Sequence, residues 1–265
     1  MGRETELCNR LGRTPEERLL LRRVLDQSMG AVRKCEPCRT PFLTPRECAL
    51  AKQLIAALGH PAHRFEGGYP EAERQVSLFL PDWLEPEDAL PEPYGLAALR
   101  AVWYEGDTLG HRDILGALMG LGIRRETVGD LLVSQHSCDI LLLPEILPYL
   151  RENFTQAGRV KLKCSEIPLP ELSVPPIAKK LLHGTVSSLR LDAVAATGFG
   201  TSRAKMTEAI SSGRVSLNHL ECTRADQAVA EGDVLACRGM GKCRLIAVGG
   251  RSRKGRVAIT VERYL

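Results

Sequence analysis

Arg190-Leu191-Asp192-Ala193-Val194-Ala195-Ala196-Thr197-Gly198-Phe199-Gly200-Thr201-Ser202-Arg203-Ala204-Lys205-Met206 is the stretch that decides how the C-terminal part of this chain folds. Leu191, Val194 and Ala195 fall on one side of a short helix. Gly198-Phe199-Gly200 stops it, because glycine accepts the left-handed conformation found at helix ends. Thr201 or Ser202 then caps a second helix, with Met206, Ala209 and Ile210 facing inward and Gly213 at its end. A strand over 215–217 runs into a turn at Asn218-His219. Glu231-Gly232-Asp233 makes a second turn before a strand over 234–237, and Gly239 and Gly241 bracket a third. Strands over 244–248 and 257–261 complete a small sheet. Residues 186–265 therefore read as one module of two short helices and a sheet.

The charge on this module has a direction. It holds 13 Lys/Arg against 7 Asp/Glu, a net +6; since the whole chain carries +4, the remainder carries −2. Such asymmetry points to a polyanionic partner. Arg203 and Lys205 fall in the first turn of the second helix, where a cation opposes the helix dipole. A helix start is also a natural phosphate site. The two cations are thus expected to serve RNA binding, and their reversal to leave thermal stability nearly unchanged. Arg214, Asn218 and His219 follow the same helix and add donors. With Arg190, Thr201, Ser202, Lys242 and Arg244 they make up the candidate RNA-binding set.

Working outward, residues 168–185 contain four prolines and little periodicity, and 171–185 read as a linker. Residues 93–170 carry a regular order. Strands are expected over 96–104, 130–134, 139–143 and 160–167, and helices over 111–121 and 144–153. This is the β-α-β-β-α-β plan of ferredoxin-like and RRM domains. Residues 1–92 read as a helical region with a short hairpin. Thr44-Pro45-Arg46-Glu47 is a helix start with cap, N1 proline and N3 glutamate. The fold class is α+β.

The terminal module resembles the S4 RNA-binding domain. The residues that carry the likeness are Arg190-Leu191-Asp192, Ser202-Arg203, Lys205, Ile210, Gly213-Arg214-Val215, Asn218, Asp226, Val229 and Gly232-Asp233-Val234. His219 stands where the usual glycine follows the asparagine. His111-Arg112-Asp113-Ile114-Leu115-Gly116, Gly120-Leu121-Gly122-Ile123 and Gly129-Asp130 resemble the middle domain of the YlmH family. Phe42-Leu43-Thr44-Pro45-Arg46-Glu47 and Arg238-Gly239-Met240-Gly241-Lys242 extend the likeness. The resemblance implies a helical N-terminal region, an RRM-like middle domain and an S4 domain docking on structured RNA, ribosomal or transfer. It further implies a place on the ribosome, with the large subunit and its tRNA-linked nascent chain as target. Cyanobacterial and plastid relatives are associated with photosystem II assembly.

Other function classes find little support. The strands over 130–134 and 139–143 hold no aromatic on which a base would stack. Trp103 and Tyr104 are neighbours, so only one can point outward, and Trp103 is expected in the core. Arg112, Arg124 and Arg125 are further candidates for phosphate contact. His111-Arg112-Asp113 imitates a kinase catalytic loop without the asparagine or glycine loop that kinases need. Arg190-Leu191-Asp192 imitates the pseudouridine synthase motif without a large catalytic domain around it. Gly198-Phe199-Gly200 lacks the rest of a dinucleotide fingerprint. His60 and His63 read as turn residues. Of nine cysteines, only Cys35 and Cys38 form a C-x-x-C, and a zinc site there would draw on Cys8 and Cys48; most of the nine read more plainly as reduced thiols acting as small hydrophobes. No cofactor or metal is expected. No apolar run of about 18 residues crosses a membrane. The charged N-terminus lacks a signal core, and Glu6 spoils a myristoylation pattern, so the cytoplasm is the expected location. Two alternatives to a non-catalytic ribosomal RNA binder stand: an RNA-modifying enzyme targeted by its S4 domain, and an assembly factor of the photosystem or cell-division type.

Overall fold

The structure, a computed structural model, describes residues 2–59, 62–88, 90, 94–252 and 255–265. His60, Arg253 and Lys254 lie outside the described residues. The chain divides into two compact units, Met1–Pro175 and Pro176–Leu265.

The first unit begins with α1 (Arg3–Leu11) and α2 (Pro15–Lys34), followed by the short strand β1 (Cys38–Arg39) and α3 (Pro45–Leu58). The start of α3 is a capping box. Thr44 Oγ1 accepts from the Glu47 amide at 3.3 Å, and the Glu47 carboxylate accepts from the Thr44 amide at 2.7 Å. Two strands then pair, β2 (His63–Glu66) and β3 (Val76–Phe79), and β1 joins the other edge of β3. His63 is therefore the first residue of a strand, not a turn residue.

Next come β4 (Ala97–Val102), α4 (His111–Gly120), β5 (Val128–Val133), β6 (Ser137–Leu142) and α5 (Leu147–Asn153). A two-strand turn, β7 (Gln156–Ala157) and β8 (Val160–Lys161), leads into β9 (Lys163–Ile167). The sheet order is β5-β6-β4-β9, every pair antiparallel, which is the ferredoxin-like arrangement. Alternation along the strands splits their residues between two cores. Leu99, Ala101, Trp103, Ile140 and Leu142 join Ile114, Leu118 and Leu150 from the helices. On the opposite face, Ala98, Leu132, Leu141 and Ile167 bury Phe42, Val76 and Leu78. The stretches that the sequence divides near residue 92 thus share a core.

Gly129 and Asp130 make that contact possible. A Cβ on Gly129 would stand 2.6 Å from the Phe42 ring, so only glycine admits the ring against β5. Asp130 accepts from the Tyr69 hydroxyl at 2.8 Å and from the Glu73 and Arg74 amides at 2.7 and 3.2 Å. The pair clamps the N-terminal segment onto the sheet.

The second unit opens with a strand, β10 (Lys179–Val186), where proline content and missing periodicity predict part of a linker. It pairs along its length with the last strand, so its partner lies more than 70 residues away. Leu182, Gly184 and Val186 turn to the core side; Gly184 faces Thr197 and leaves no apolar signature. Then follow α6 (Leu191–Phe199), α7 (Arg203–Ser211), β11 (Val215–Leu217), β12 (Leu220–Glu221), β13 (Val234–Cys237), β14 (Gly241–Arg251) and β15 (Val257–Tyr264). The antiparallel order is β10-β15-β14-β13-β11-β12. Helix α6 lies on β10, β14 and β15, and seven of its nine residues are buried. Gly198 belongs to this helix and does not stop it. A Cβ there would come within 2.7 Å of Cys243 Sγ, so the residue sets how closely α6 meets the sheet. Gly200, at φ 64°, is the stop.

All nine cysteines are unpaired. Burial pushes the Cys138 and Cys243 thiols up to about 12, and those of Cys48 and Cys164 to about 11, which leaves little thiolate at neutral pH.

Two alanine substitutions should act in opposite directions. Gly129→Ala must displace Phe42 and is expected to destabilise the protein by about 1–3 kcal/mol. Gly116→Ala, at an exposed helix position where a Cβ meets nothing within 4 Å, is expected to stabilise by about 0.4–1 kcal/mol. Denaturant midpoints of the two variants would check both.

Candidate nucleic-acid interface

The helix starts of the second unit are held differently. At α6, the Leu191 amide donates to Gln227 O at 2.8 Å and the Asp192 amide to Ala225 O at 3.1 Å, so the loop over 225–227 closes this end. At α7, Ser202 is the cap: its hydroxyl accepts from the Lys205 amide at 3.3 Å. Thr201 precedes the cap, half-buried, with its amide donating to Ala196 O. Ser202, Arg203, Ala204 and Lys205 are all exposed, so the start of α7 faces solvent.

Asp192 lies between the two helix starts, with a side chain only 4% exposed. Arg190 reaches it with Nε at 3.2 Å and Nη2 at 3.1 Å; Arg203 does so with Nε at 3.0 Å and Nη2 at 2.9 Å. Burial raises the Asp192 carboxyl, but hydrogen bonds from Arg190 and Arg203 and their charge outweigh it and hold the group below the usual carboxylate range. Arg203 therefore has a structural partner that the sequence expectation of a dispensable cation leaves out. Reversing its charge would set two carboxylates against each other in a buried place. Lys205, one helical step beyond, is exposed.

The remaining candidates divide. Arg214 is exposed beyond the end of α7, with Nε donating to Ser212 Oγ at 3.1 Å. Asn218 and His219 are the two central residues of the hairpin turn between β11 and β12, at φ 49° and 68°. Both sit in the left-handed region that such turns require, so His219 takes the conformation glycine would have taken. The Asn218 amide is committed to the fold: Nδ2 donates to Asp233 Oδ1 at 2.8 Å, and Oδ1 accepts from the Val234 amide at 2.9 Å. Lys242 and Arg244 alternate along β14 with Cys243 and Leu245, which are fully buried under the helices. They consequently point to the other face of the sheet. There Lys242 Nζ stands 4.6 Å from the Tyr264 ring centroid, and Arg244 Nε donates to Gly232 O at 3.2 Å. The structure gathers Arg190, Ser202, Arg203 and Lys205 around the helix starts and sets Lys242 and Arg244 apart from them.

In the first unit, Trp103 is buried and Tyr104 is 77% exposed. Arg112 is exposed, Arg124 pairs with Glu126 at 3.3 Å, and Arg125 is turned inward onto the Val128 and Gly129 carbonyls. The sheet face on which an RRM stacks bases is occupied by Phe42, Val76 and Leu78. Among the described residues, no group of three or more His, Cys, Asp or Glu is placed to hold a metal ion. No helix there is long and apolar enough to cross a membrane.

Asp192 as an anchor is what residue-by-residue reading missed. Its signal was the i, i+2 spacing to Arg190; the second partner, Arg203, comes from another helix.

Comparison with known proteins fits this architecture. Residues 16–81 match the family description "YlmH, N-terminal", residues 104–171 "Putative RNA-binding domain in YlmH", and residues 189–235 "S4 domain". A relative in Bacillus subtilis (strain 168), named ribosome-associated protein quality control protein P2, is 32% identical over 225 residues. The match covers 84% of this chain and 86% of that protein. The chain belongs to the YlmH family. A solved structure named cell division protein ylmH from Streptococcus pneumoniae is similar at a TM-score of 0.50 and 25% identity, covering 60% of this chain and 96% of that one. In this YlmH-family chain the S4 match, residues 189–235, spans α6, α7 and β11 through the first residues of β13, and Arg190, Arg203 and Lys205 lie within it.

The lowered Asp192 pKa gives acid sensitivity a defined sign. Its folded value lies below the unfolded one of about 3.9. The stabilisation is fully present above that value and is lost as pH falls through the folded value. The stability gap between the native protein and Asp192→Asn should therefore be constant at neutral pH and narrow below about pH 4. Denaturant unfolding of both proteins across that range measures it.

Proposed function

We propose that this protein is a non-catalytic RNA-binding factor that works on the ribosome in the cytoplasm, gripping structured ribosomal or transfer RNA with the helix starts of its S4 domain. The observation that carries the reading is the exposed cation group at the start of α7, Arg203 and Lys205 with Arg190 beside them, on the segment that matches the S4 description. Phosphate contacts of this kind supply most of the affinity of nucleic-acid binding and make it fall with salt. The Bacillus relative's name supports the ribosome as the setting; the large subunit as the docking site is part of the proposal and rests on the sequence resemblance alone.

The catalytic alternative meets an obstacle at its own candidate residue. A pseudouridine synthase needs an aspartate that reaches the target nucleotide, whereas Asp192 is buried and engaged by two arginines. The sheet of the first unit offers no open aromatic platform, so the terminal unit carries the RNA contact in this reading.

Lys205→Glu and Arg214→Glu test it, since both residues are exposed and neither touches Asp192. Each is expected to weaken binding of ribosomal RNA fragments and tRNA, and to lower the slope of log affinity against log salt by about 1. The thermal midpoint should not fall in either variant, and Lys205→Glu should raise it slightly, because a carboxylate in the first turn of α7 suits the helix dipole that Lys205 opposes. Unchanged affinity and unchanged slope in both variants would remove the interface, and failure of the native protein to co-sediment with ribosomes would remove the setting.

A further inference from the structure

We propose that Asp192 is a positioning residue that turns Arg190 and Arg203 into one prepared site for a single RNA backbone phosphate. The proposal rests on the RNA-binding reading and adds to it a ligand group and the residue that arranges the contact.

Each arginine spends the same edge on Asp192: Nε and Nη2 donate to the carboxylate, at distances between 2.9 and 3.2 Å. Neither Nη1 makes a hydrogen bond among the described residues. A guanidinium is planar and its donors are rigidly arranged, so fixing one edge fixes where the others point. Both Nη2 atoms touch the same oxygen, Asp192 Oδ2, which makes the two guanidinium groups neighbours across one atom. The carboxylate is buried while the arginine side chains are 38% and 50% exposed, so the cations lie on its solvent side. Asp192 holds both cations by hydrogen bonds, while Asp226, itself paired with Arg224, adds only a Coulombic pull on Arg190. The exposed parts of the two guanidinium groups, with the Nη1 donors, are left for a ligand. Phosphate suits this arrangement, because its oxygens accept from two guanidinium forks at once.

The position of the carboxylate also explains how two arginines tolerate each other this closely. Without it they would repel, and each long side chain would sample many rotamers before meeting RNA. With it, the ordering is complete before binding, as with the groups that orient metal ligands from behind.

Charge counting and positioning predict opposite signs. Removing a negative charge from a cationic patch should tighten RNA binding, whereas removing the positioning group should weaken it. Binding of bulk tRNA and total ribosomal RNA to the full chain would be measured over a salt series, at a temperature well below every variant's midpoint. Asp192→Asn is expected to bind about tenfold or more weakly, on the scale seen when a group orienting another ligand is lost. Arg190→Lys/Arg203→Lys, which keeps the charge and loses the forks, should show a similar loss. In that background Asp192→Asn should add nothing further, because it acts through the forks alone. Asp192→Asn binding as tightly as the native protein, or more tightly, would overturn the proposal, as would a loss that adds in full to that of the double variant. If Asp192→Asn does not fold, the lysine pair decides: undiminished affinity overturns the proposal. The broader RNA-binding reading has its own controls: it fails if the native protein does not bind, or if Lys205→Glu and Arg214→Glu leave affinity and salt slope unchanged.

Discussion

A carboxylate taken out of water is tolerated only when donors replace what water supplied. Asp192 meets that condition with four hydrogen bonds from two arginines, one at the cap of α6 and the other in the first turn of α7. The interaction sets the two helix starts together, and it places cations at the one position in α7 where the helix dipole alone would disfavour them. Fold and proposed function meet at this residue. The carboxylate that ties the two helix starts together, over the apolar core of Val194, Phe199, Met206 and Ile210, is the same one proposed to position the cations.

The first unit illustrates how little a fold class says about chemistry. Its sheet has the strand order and the antiparallel pairing of a ferredoxin-like domain, yet its outer face is a core. Phe42, Val76 and Leu78 fill the area where an RRM would present aromatics. Gly129 leaves room for the Phe42 ring, and Asp130 fastens the chain around Tyr69 to Arg74. Gly129-Asp130 is also among the residues that carry the resemblance to the YlmH middle domain, and its place in the structure gives that motif a packing reason.

Charge in the terminal unit is likewise partitioned by structure. Lys242 and Arg244 are as cationic as Lys205, but strand alternation turns them away from the helices, where they contact Tyr264 and Gly232. A net charge summed along the sequence cannot separate the two faces of a sheet. The buried partners of β14, Cys243 and Leu245, do so.

Much of this protein was legible from its residues. The Thr44–Glu47 capping box, the β-α-β-β-α-β order, the two helices over 191–211 and the basic balance of the last 80 residues all depend on neighbours within a few positions, which local propensity and periodicity report. Other features needed the folded chain. Strand β10 has lysines, a glycine and only two apolar core residues, and it is a strand because β15 pairs with it. Gly198 looks like a helix stop until Cys243 is found pressed against it. Arg203 looks like an unpaired cation until Asp192, eleven residues earlier, is found beneath it. Composition and period carry information about what one residue does with its near neighbours. Which distant group lies across a sheet, or under a guanidinium, is decided only when the chain closes.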